Sequence, residues 1–515
     1  MEYPQVELSD IQRFYKGGTV FLTGATGFIG KLILEKILRT LPVRKVFILV
    51  REKENESPSQ RVQQMFESPI FDGLKWSNPE VINKVVTLEG NCALPMLGLG
   101  QENVETIIKE VDVILHCAAA VWFDGQLKNA VRVNVKATRD LVEIAKKIKK
   151  LRTFVYMGAA FSNFETNEIK EEIYPCKIEA QELIAACESL DNDTVDSLTK
   201  TLVADWPNVG TFTKQVSEDF LKRHTLNIPI CIVRPTIVIS TYTEPVNAFT
   251  DNELSLAGLV MANTLGTCHI NYYKNGVLDI VPVDYVVNAF IAAGWYTGDN
   301  FRKHRGDMQV YNISSSQDNP ITQDEIWSMI NHYNKGIPSS HLASFPCHFR
   351  TTCKHNYLIL RFFFHTLVAM IADYVLSLQG KKPMYVDRAR KLHDIQEAWE
   401  PFTTTEFFVH VANTHKLLKR MSFQDRELFN FDMGTITWDA YFAQYVKGLR
   451  IYLLKDPMET ISAGKKRFAY LKKVFIVLLV VVTILLYAAG KILLFRVLPF
   501  ILWIVSSILQ DLVCQ

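Results

Sequence analysis

The chain has 515 residues, of which 48% are hydrophobic, and its formal net charge at pH 7 is +2. This length exceeds that of a single domain and suits two or three. The nearly balanced charge predicts no nucleic-acid partner, and nine cysteines without paired spacing indicate reduced thiols rather than a disulfide framework.

An apolar run at Thr19–Thr23 leads directly into three glycines, Gly24, Gly27 and Gly30, and then into a helical pattern. The first glycine permits a tight turn, the second lets the backbone approach a pyrophosphate, and the third lets the helix pack against its strand. The helix N-terminus then offers free N–H groups to the anion. A dinucleotide site is therefore predicted, with a glycine-rich turn that binds nothing as the alternative. The predicted contacts are Thr23, Gly24, Thr26, Gly27, Phe28, Ile29 and Gly30.

The next apolar run, Lys45–Val50, is typical of a strand buried on both faces of a parallel sheet, and it ends at Arg51. An acidic residue at that tip would bind a ribose 2′-hydroxyl, whereas an arginine favours a 2′-phosphate. The sequence therefore predicts NADPH rather than NADH. Lys53 and Arg61 are nearby and are alternatives for the same contact.

Further strands alternate with helices along the first half of the chain. The predicted strands cover residues 85–90, 111–116, 154–157 and 228–235. A helix over residues 127–148 carries Asn134, and the small residues Ala118 and Ala119 would let the nucleotide lie against the backbone. This alternation predicts a doubly wound parallel sheet whose ligands bind at the carboxyl ends of the strands.

The regular alternation fades after about residue 240. Residues 242–245 and 279–284 are predicted to form the wall of a substrate cleft, and residues 320–460 are predicted to be mostly helical. Within them, residues 358–371 are very apolar, but Arg361, His365 and the short length argue against a membrane span. We expect a buried or membrane-leaning helix that helps to receive an apolar substrate.

The C-terminal region is predicted to be a membrane anchor. A cluster of cations precedes residues 474–490, which carry no charge, and residues 497–509 form a second apolar run. Seventeen residues are near the lower limit for a span, so one span, two spans and a hairpin all stay open. The positive-inside rule places the upstream domains in the cytosol. Removal of everything after about Lys473 is then expected to release the protein from membranes.

The predicted fold is therefore α/β with three parts. Residues 1–320 form a doubly wound parallel Rossmann sheet with the substrate cleft, residues 321–463 a mostly helical domain, and residues 464–515 a basic flank with a C-terminal transmembrane segment. Cys347, His348, Cys353 and His355 are close in sequence but match no standard zinc spacing, so no metal site is predicted.

Six segments together resemble the fatty acyl-CoA reductase family, a group of extended short-chain dehydrogenases. They are residues 23–30, 49–51, 116–119, 134–138, 234–238 and 279–284, and the helical domain and apolar C-terminus fit as well. The resemblance implies reduction of a long-chain acyl-CoA to a primary alcohol by two NADPH, through a bound aldehyde. It also implies a membrane of the endoplasmic reticulum or of peroxisomes, with the catalytic domain cytosolic.

The family's chemistry uses a serine or threonine at the end of the fifth strand and a Tyr-x-x-x-Lys motif on the following helix. Alignment on Lys214 puts Gly210 at the tyrosine position, and alignment on the strand puts Gly158 and Ala159 at the serine and threonine positions. Loss of both proton-handling groups is expected to slow turnover roughly 10⁴-fold or more. A serine at 158 together with a tyrosine at 210 is expected to restore it.

The groups that bind the cofactor are retained, namely Lys214, Asn134, Arg51 and the three glycines. Two departures concern the pocket: Asn91 replaces the usual aspartate near adenine, and residues 246–249 are altered in the cleft. One hypothesis is an active reductase with a substitute donor, for which the candidates are Tyr156, Thr211, Thr213 and a water held by Lys214.

The other hypothesis is a catalytically impaired paralogue that binds NADPH or acyl-CoA as a regulatory or lipid-binding partner. It would act as a homodimer or as a heterodimer with a related reductase. A different extended dehydrogenase, acting on sugars or sterols, is disfavoured by the C-terminal helical domain and the apolar tail.

Overall fold

The structure is a computed structural model that describes residues 7–120, 126–304 and 307–492. Its strands are β1 Thr19–Thr23, β2 Lys45–Val50, β3 Val85–Glu89, β4 Val113–His116, β5 Thr153–Met157, β6 Glu168–Ile169, β7 Ile230–Pro235, β8 Ile237–Ile239, β9 Ile270–Tyr272, β10 Ile280–Pro282, β11 Gln309–Ile313, β12 Phe349–Thr351 and β13 Phe408–Val409.

The helices of the first half are α1 Asp10–Tyr15, α2 Phe28–Thr40, α3 Pro58–Phe66, α4 Asp72–Ser77, α5 Gln101–Glu110, α6 Leu127–Ala130, α7 Ala137–Lys147, α8 Ala180–Ser189, α9 Asn192–Leu202, α10 Val209–His224, α11 Leu256–Thr264 and α12 Val283–His304. Those of the second half are α13 Gln323–Gly336, α14 Lys354–Arg361, α15 Leu367–Leu378, α16 Tyr385–Thr404, α17 Ala412–Arg420, α18 Phe423–Leu428, α19 Trp438–Gly448 and α20 Ile461–Ile492.

Seven strands form one parallel sheet in the order β3, β2, β1, β4, β5, β7 and β11. The strand order reverses between β1 and β4, and this switch point is where a doubly wound sheet binds its ligand. The predicted strands are confirmed. The apolar runs of β1, β2, β4, β5 and β7 are buried on both faces, whereas the edge strand β3 is mostly half-buried. The edge strand β11 was missed by the sequence analysis, because its polar residues Gln309 and Asn312 interrupt the apolar pattern.

The helix predicted over residues 127–148 is confirmed, but it contains a π-helical turn at Val131–Lys136 between α6 and α7. A π-helical turn inserts one extra residue, which redirects the side chains that follow, and such turns are frequent at functional sites. Residues 285–295 lie within the long helix α12.

The mostly helical second half packs directly on the sheet domain. One apolar core extends from Ile11 near the start of the chain to Leu449 in the second half. Two short strands also join the halves, because β12 pairs with β9 and β13 pairs with β6. The two parts therefore enclose a common interior, and the surface between them borders the carboxyl ends of the strands.

For residues 358–371 the sequence predicts a buried or membrane-leaning helix too short for a span. The short length and the buried alternative are wrong, whereas the membrane-leaning alternative stays a prediction. A π-helical turn joins α14 and α15 into one helix, Lys354–Leu378, whose 25 residues are long and apolar enough to cross a membrane. Most of its large apolar side chains are exposed rather than buried. Residues 474–490 of the predicted anchor lie within α20, whereas residues 497–509 lie outside the described part of the chain.

Candidate active site

The glycine loop after β1, residues 24–30, is shaped for a pyrophosphate and is called the cradle below. Gly24 has φ +78°, and a Cβ atom there would lie 2.7 Å from the backbone nitrogen of Ala118. A Cβ atom at Gly30 would lie 2.0 Å from the carbonyl oxygen of Gly24, so the helix could not pack as closely with any other residue. Gly27 is the N-cap of α2 and has no side chain to cap it. The first N–H groups of α2, from Phe28 onward, are therefore available to an anion.

Three buried side chains at the switch point between β1 and β4 are joined by hydrogen bonds. Thr23 Oγ1 lies 2.6 Å from His116 Nδ1, and His116 Nε2 lies 3.2 Å from Thr138 Oγ1. The backbone N–H of Ala118 donates to Thr23 Oγ1 at 3.3 Å. Thr23 and His116 therefore hold the residues that follow β4 next to the glycine loop. Thr23 supports this loop through buried hydrogen bonds. Ala118 is partly buried and borders the glycine loop, whereas Ala119 is exposed.

His116 makes a pH-dependent contribution to stability. Burial, followed by the charge of Lys214, lowers the pKa of His116 to about 3. An unfolded histidine titrates near 6.5, so between these values the unfolded chain binds more protons and the free energy of unfolding falls as the pH decreases. When the pH is lowered from 7.5 to 5, we expect the free energy of unfolding to fall less in His116→Asn than in the wild type. The difference between the two losses should be about 2 kcal/mol. Urea unfolding at both pH values measures this, and parallel losses would contradict it.

Two arginines lie together beside the cradle. Arg61 Nη1 donates to the carbonyl oxygen of Arg51 at 2.7 Å, and Arg61 Nη2 donates to Thr26 Oγ1 at 3.1 Å. Desolvation and the neighbouring charge of Arg51 lower the pKa of Arg61. Within the described ranges, neither guanidinium has a carboxylate within 4.0 Å. Two arginines without a direct ion pair suit a phosphate, although Glu54 and Glu56 are close enough to Arg61 to offset part of its charge. From the sequence, Arg61 is only an alternative to Arg51.

Lys214 is held at the carboxyl end of β5. Its ammonium donates to the carbonyl oxygen of Met157 at 2.6 Å and lies 4.6 Å from the centre of the Tyr156 ring. Desolvation lowers the pKa of Lys214 to about 8, although the nearby Cys117 and Glu218 oppose the shift. The lysine is therefore fixed at the sheet edge where the cofactor is expected.

Asn134 lies in the π-helical turn and joins β4 to α10. Its Oδ1 accepts from the N–H of Ala120 at 2.8 Å, and its Nδ2 donates to Thr213 Oγ1 at 2.9 Å. Its backbone carbonyl accepts hydrogen bonds from Thr138 and Ser217. Since the side chain is buried and both its polar atoms are engaged, Asn134 is a positioning residue in this structure rather than a direct ligand of the cofactor.

The substitute donors considered from the sequence are poorly placed. Tyr156 is fully buried, and burial raises its pKa. Thr213 Oγ1 is also buried and donates to the carbonyl of Val209 at 2.8 Å. Thr211 Oγ1 donates to the carbonyl of Asn208 at 2.9 Å, in the first turn of α10, where Asn208 Oδ1 caps the helix by accepting the Thr211 N–H. The two threonine hydroxyls are engaged by α10, whereas the Tyr156 hydroxyl has no hydrogen-bond partner among the described residues but is buried away from solvent. None of the three is therefore placed to polarise a substrate carbonyl.

Position 158 is poorly placed for a hydroxyl that faces a substrate, which argues against the serine expected there from the sequence. A Cβ atom at Gly158 would lie 2.3 Å from Glu218 Oε1 and 3.0 Å from Arg234 Cγ. A serine there would point into this buried ion pair. Successive residues of a strand point to opposite faces, so Ala159, which is partly exposed, takes the other direction. The structure therefore favours Ala159 as the empty hydroxyl position, together with the partly exposed Gly210 in the first turn of α10.

Aromatic side chains follow β5 and form an apolar wall beside the site. The Phe161 ring contacts those of Phe402 and Phe407, each at 5.1 Å between centroids, and Phe164 contacts the same two rings at 5.8 and 5.2 Å. Two of these rings come from the C-terminal half of the chain. The wall therefore packs that half of the chain against the segment that follows Ala159.

The predicted cleft residues have mainly structural partners. Asp284 accepts hydrogen bonds from the backbone N–H groups of Tyr242 and Thr243, and Asp279 is buried and accepts one from Thr236. Within the altered residues 246–249, the Phe249 ring lies 6.5 Å from that of Phe28 and 5.2 Å from that of Tyr452. This altered segment therefore packs at the cradle, against the first residue of α2.

The fold and the site define a dinucleotide-binding protein with a doubly wound parallel sheet. The family described as male sterility protein matches residues 22–290 with its NAD-binding part and residues 364–456 with its second part. Two solved reductase domains of nonribosomal peptide synthesis have the same fold. That of the myxalamid pathway has a TM-score of 0.54 and 17% identity, and covers 87% of this chain and 92% of its own. That of Mycobacterium tuberculosis has a TM-score of 0.56 and 20% identity, and covers 85% and 93%.

Curated relatives give a closer match. Fatty acyl-CoA reductase wat of Drosophila melanogaster is 34% identical over 90% of this chain and 89% of its own. Fatty acyl-CoA reductase 1 of Xenopus laevis is 33% identical over 90% of each chain, and fatty acyl-CoA reductase 2 of Homo sapiens is 34% identical over 91% and 90%. The chain belongs to the fatty acyl-CoA reductase family.

Proposed function

We propose that this protein binds NADPH and a long-chain fatty acyl-CoA at a membrane, and that it reduces the thioester to a primary alcohol only slowly. The observation that carries this proposal is the contrast between Lys214, which is anchored at Met157, and the missing hydroxyls at Ala159 and Gly210. The cradle, the two arginines and the lysine support binding, whereas the other two positions lack the groups that handle protons.

The chemistry explains why those two positions matter. When it is bound, the nicotinamide supplies a hydride to the carbonyl carbon, and negative charge then develops on the carbonyl oxygen. A hydroxyl within about 3 Å of that oxygen normally stabilises the charge and delivers the proton. Here neither Ala159 nor Gly210 can do so, and Lys214 is the nearest acid. Its pKa of about 8 makes the ammonium a better acid than an ordinary lysine, which is consistent with residual turnover.

The overall reaction takes two hydrides and two protons. The first reduction releases free CoA thiol and leaves an aldehyde, and the second reduction converts the aldehyde to the alcohol. In the first step the donor stabilises the oxyanion that forms before the C–S bond breaks, and the proton ends on the leaving CoA thiolate. In the second step the proton stays on the alcohol oxygen. Both steps pass through an oxyanion, so the missing donors slow both. Product should therefore be scarce, with no build-up of aldehyde as a preferred end product.

The cofactor preference is tested at Arg51. We expect Arg51→Ala to weaken the binding of NADPH more than that of NADH, by about 1–3 kcal/mol for a charge-assisted contact. Arg61→Ala should act in the same direction, because Arg61 holds the backbone of Arg51 and is itself unpaired. Lys53→Ala is the matched control, since Lys53 pairs with Glu54 at 3.0 Å. Cofactor fluorescence titration measures all three, and equal affinity of wild type for both cofactors would contradict the prediction.

The proposed activity is tested with the full chain in membranes. We expect labelled palmitoyl-CoA and NADPH to give traces of fatty alcohol, far less than the human relative gives under the same conditions, although NADPH binds normally. Alcohol at the rate of that relative would overturn the loss-of-donor argument. Absence of both binding and alcohol would overturn the proposed function itself.

The impaired state gives a second candidate function, for which the same missing hydroxyls are the observation. The protein would hold NADPH or acyl-CoA as a regulatory or lipid-binding partner, on its own or in a dimer with a related reductase. The cytosolic orientation rests on the cations that precede the apolar part of α20, and the membrane would be that of the endoplasmic reticulum or of peroxisomes. Normal binding of palmitoyl-CoA with no alcohol would favour this second function.

A further inference from the structure

We infer that the helix Lys354–Leu378, here called the apolar helix, lies in the membrane interface as a second bilayer contact, separate from α20. The helix has 25 residues with a mean hydropathy of 1.6 over its most apolar part, of which only 17% is buried. Ile359, Phe363, Val368 and Ile371 are each more than half exposed. Soluble proteins rarely leave so large a continuous apolar surface in water.

One stripe of the apolar helix faces the protein. Its members recur every four residues, a spacing that the π-helical turn maintains, and they are Tyr357, Arg361, His365, Ala369 and Asp373. The Tyr357 hydroxyl donates to Gln396 at 3.0 Å, and His365 Nε2 accepts the N–H of His269 at 2.9 Å. The polar side chains that argued against a membrane segment therefore point inward.

The three charged side chains of the helix all reach α16. Lys354 pairs with Glu400 at 2.6 Å, and Arg361 pairs with Glu397 at 2.7 Å. The Asp373 carboxylate accepts the N–H groups at the start of α16, including those of Met384 and Tyr385, at 2.8 Å. The remaining surface of the helix is left almost entirely apolar.

The polar helix α16 indicates whether the apolar helix spans the membrane or lies in its interface. It runs back along the apolar helix and carries the exposed cations Arg388, Arg390 and Lys391, of which Arg390 also pairs with Asp387 at 3.4 Å. These charged side chains would not enter the hydrocarbon. In the interface, the apolar helix places its apolar face in the bilayer while α16 stays in the polar headgroup region. The cations of α16 then contact anionic headgroups. The occupant of this surface is therefore a lipid bilayer.

The apolar helix is also continuous with the apolar part of α20. The Phe345 ring contacts Phe468 and Phe475 of α20, each at 5.2 Å, and the Phe349 ring contacts Phe364 of the apolar helix at 6.2 Å. Two exposed apolar surfaces thus meet through residues 345–349, next to the cations at the start of α20. Removal of residues after Lys473 is then no longer expected to free the protein from membranes.

The test uses the full chain in vesicles of phosphatidylcholine and phosphatidylserine, with a carbene photolabel confined to the bilayer and peptide mapping. We expect label in peptides covering residues 354–378 as well as in α20. The triple variant Phe363→Glu, Val368→Glu and Ile371→Glu should lower the label in 354–378 by at least about tenfold and leave that in α20 unchanged.

The matched control changes exposed apolar residues elsewhere. Trp76→Glu, Leu226→Glu and Phe423→Glu replace side chains that are more than four-fifths exposed, and the label should not change. NADPH binding checks that each variant folds, so the result does not depend on turnover. Label in α20 alone would overturn the inference, as would cross-linking of residues 354–378 to a second copy of the chain or to another protein.

Discussion

The Ala159→Thr, Gly210→Tyr double variant should reduce palmitoyl-CoA about 10²- to 10⁴-fold faster than the wild-type chain, the range typical of one well-placed general acid. A tyrosine at 210 would stand one helical turn before Lys214, so the two side chains share a face of α10. The ammonium would lower the pKa of the tyrosine by favouring its charged form. A threonine at 159 adds a second donor toward the substrate oxygen. Alcohol formed per hour in membranes measures the gain.

The matched control moves the hydroxyl by one residue. Gly158→Ser with Gly210→Tyr should gain less than the double variant at 159, because its serine side chain would point at Glu218 rather than at the substrate. A larger gain with Gly158→Ser would place the missing hydroxyl at 158 after all. If the variant at 159 and 210 folds and binds NADPH without any gain, the defect extends to the substrate side, and residues 246–249 become the next target.

The largest expected effect on stability is that of Glu218→Ala. Glu218 and Arg234 form an ion pair at 2.6 Å, and both side chains are 1% exposed. Loss of one partner leaves the other charge buried and unpaired, which typically costs about 3–5 kcal/mol. Arg234 also donates to the carbonyl of Glu172 at 2.9 Å, but neutral acceptors do not replace the lost carboxylate. We therefore expect the free energy of unfolding in urea to fall by that amount.

The control for this variant is a surface ion pair. Lys303→Ala removes the partner of Asp299, in a pair whose side chains are 59% and 41% exposed, and should change the unfolding free energy by less than about 1 kcal/mol. The double variant Glu218→Leu, Arg234→Leu should recover part of the loss, since no lone charge stays buried. If Glu218→Ala loses no more unfolding free energy than Lys303→Ala, the predicted cost of breaking the buried Glu218–Arg234 pair is refuted.

The sequence determined the features that depend on short stretches of backbone. The spacing of Gly24, Gly27 and Gly30 after an apolar strand fixes a cradle within twelve residues, because turn geometry and close packing of glycine are local properties. Continuous apolar runs identified the strands for the same reason, and β11 was missed where polar residues broke the pattern. The alignment on Lys214 likewise required only helical spacing.

The tertiary structure decided the direction of side chains and the identity of their distant partners. Gly158 and Ala159 are neighbours in sequence, yet only the packing of Glu218 and Arg234 shows which one faces the site. Asn134 became a positioning residue because Ala120 and Thr213 occupy both its polar atoms. The charges on the apolar helix are turned inward by α16, whereas composition alone counted them against the membrane. In each case the contacting group belongs to another helix or strand that is distant in sequence. The residues next to the site in sequence therefore do not predict the contact.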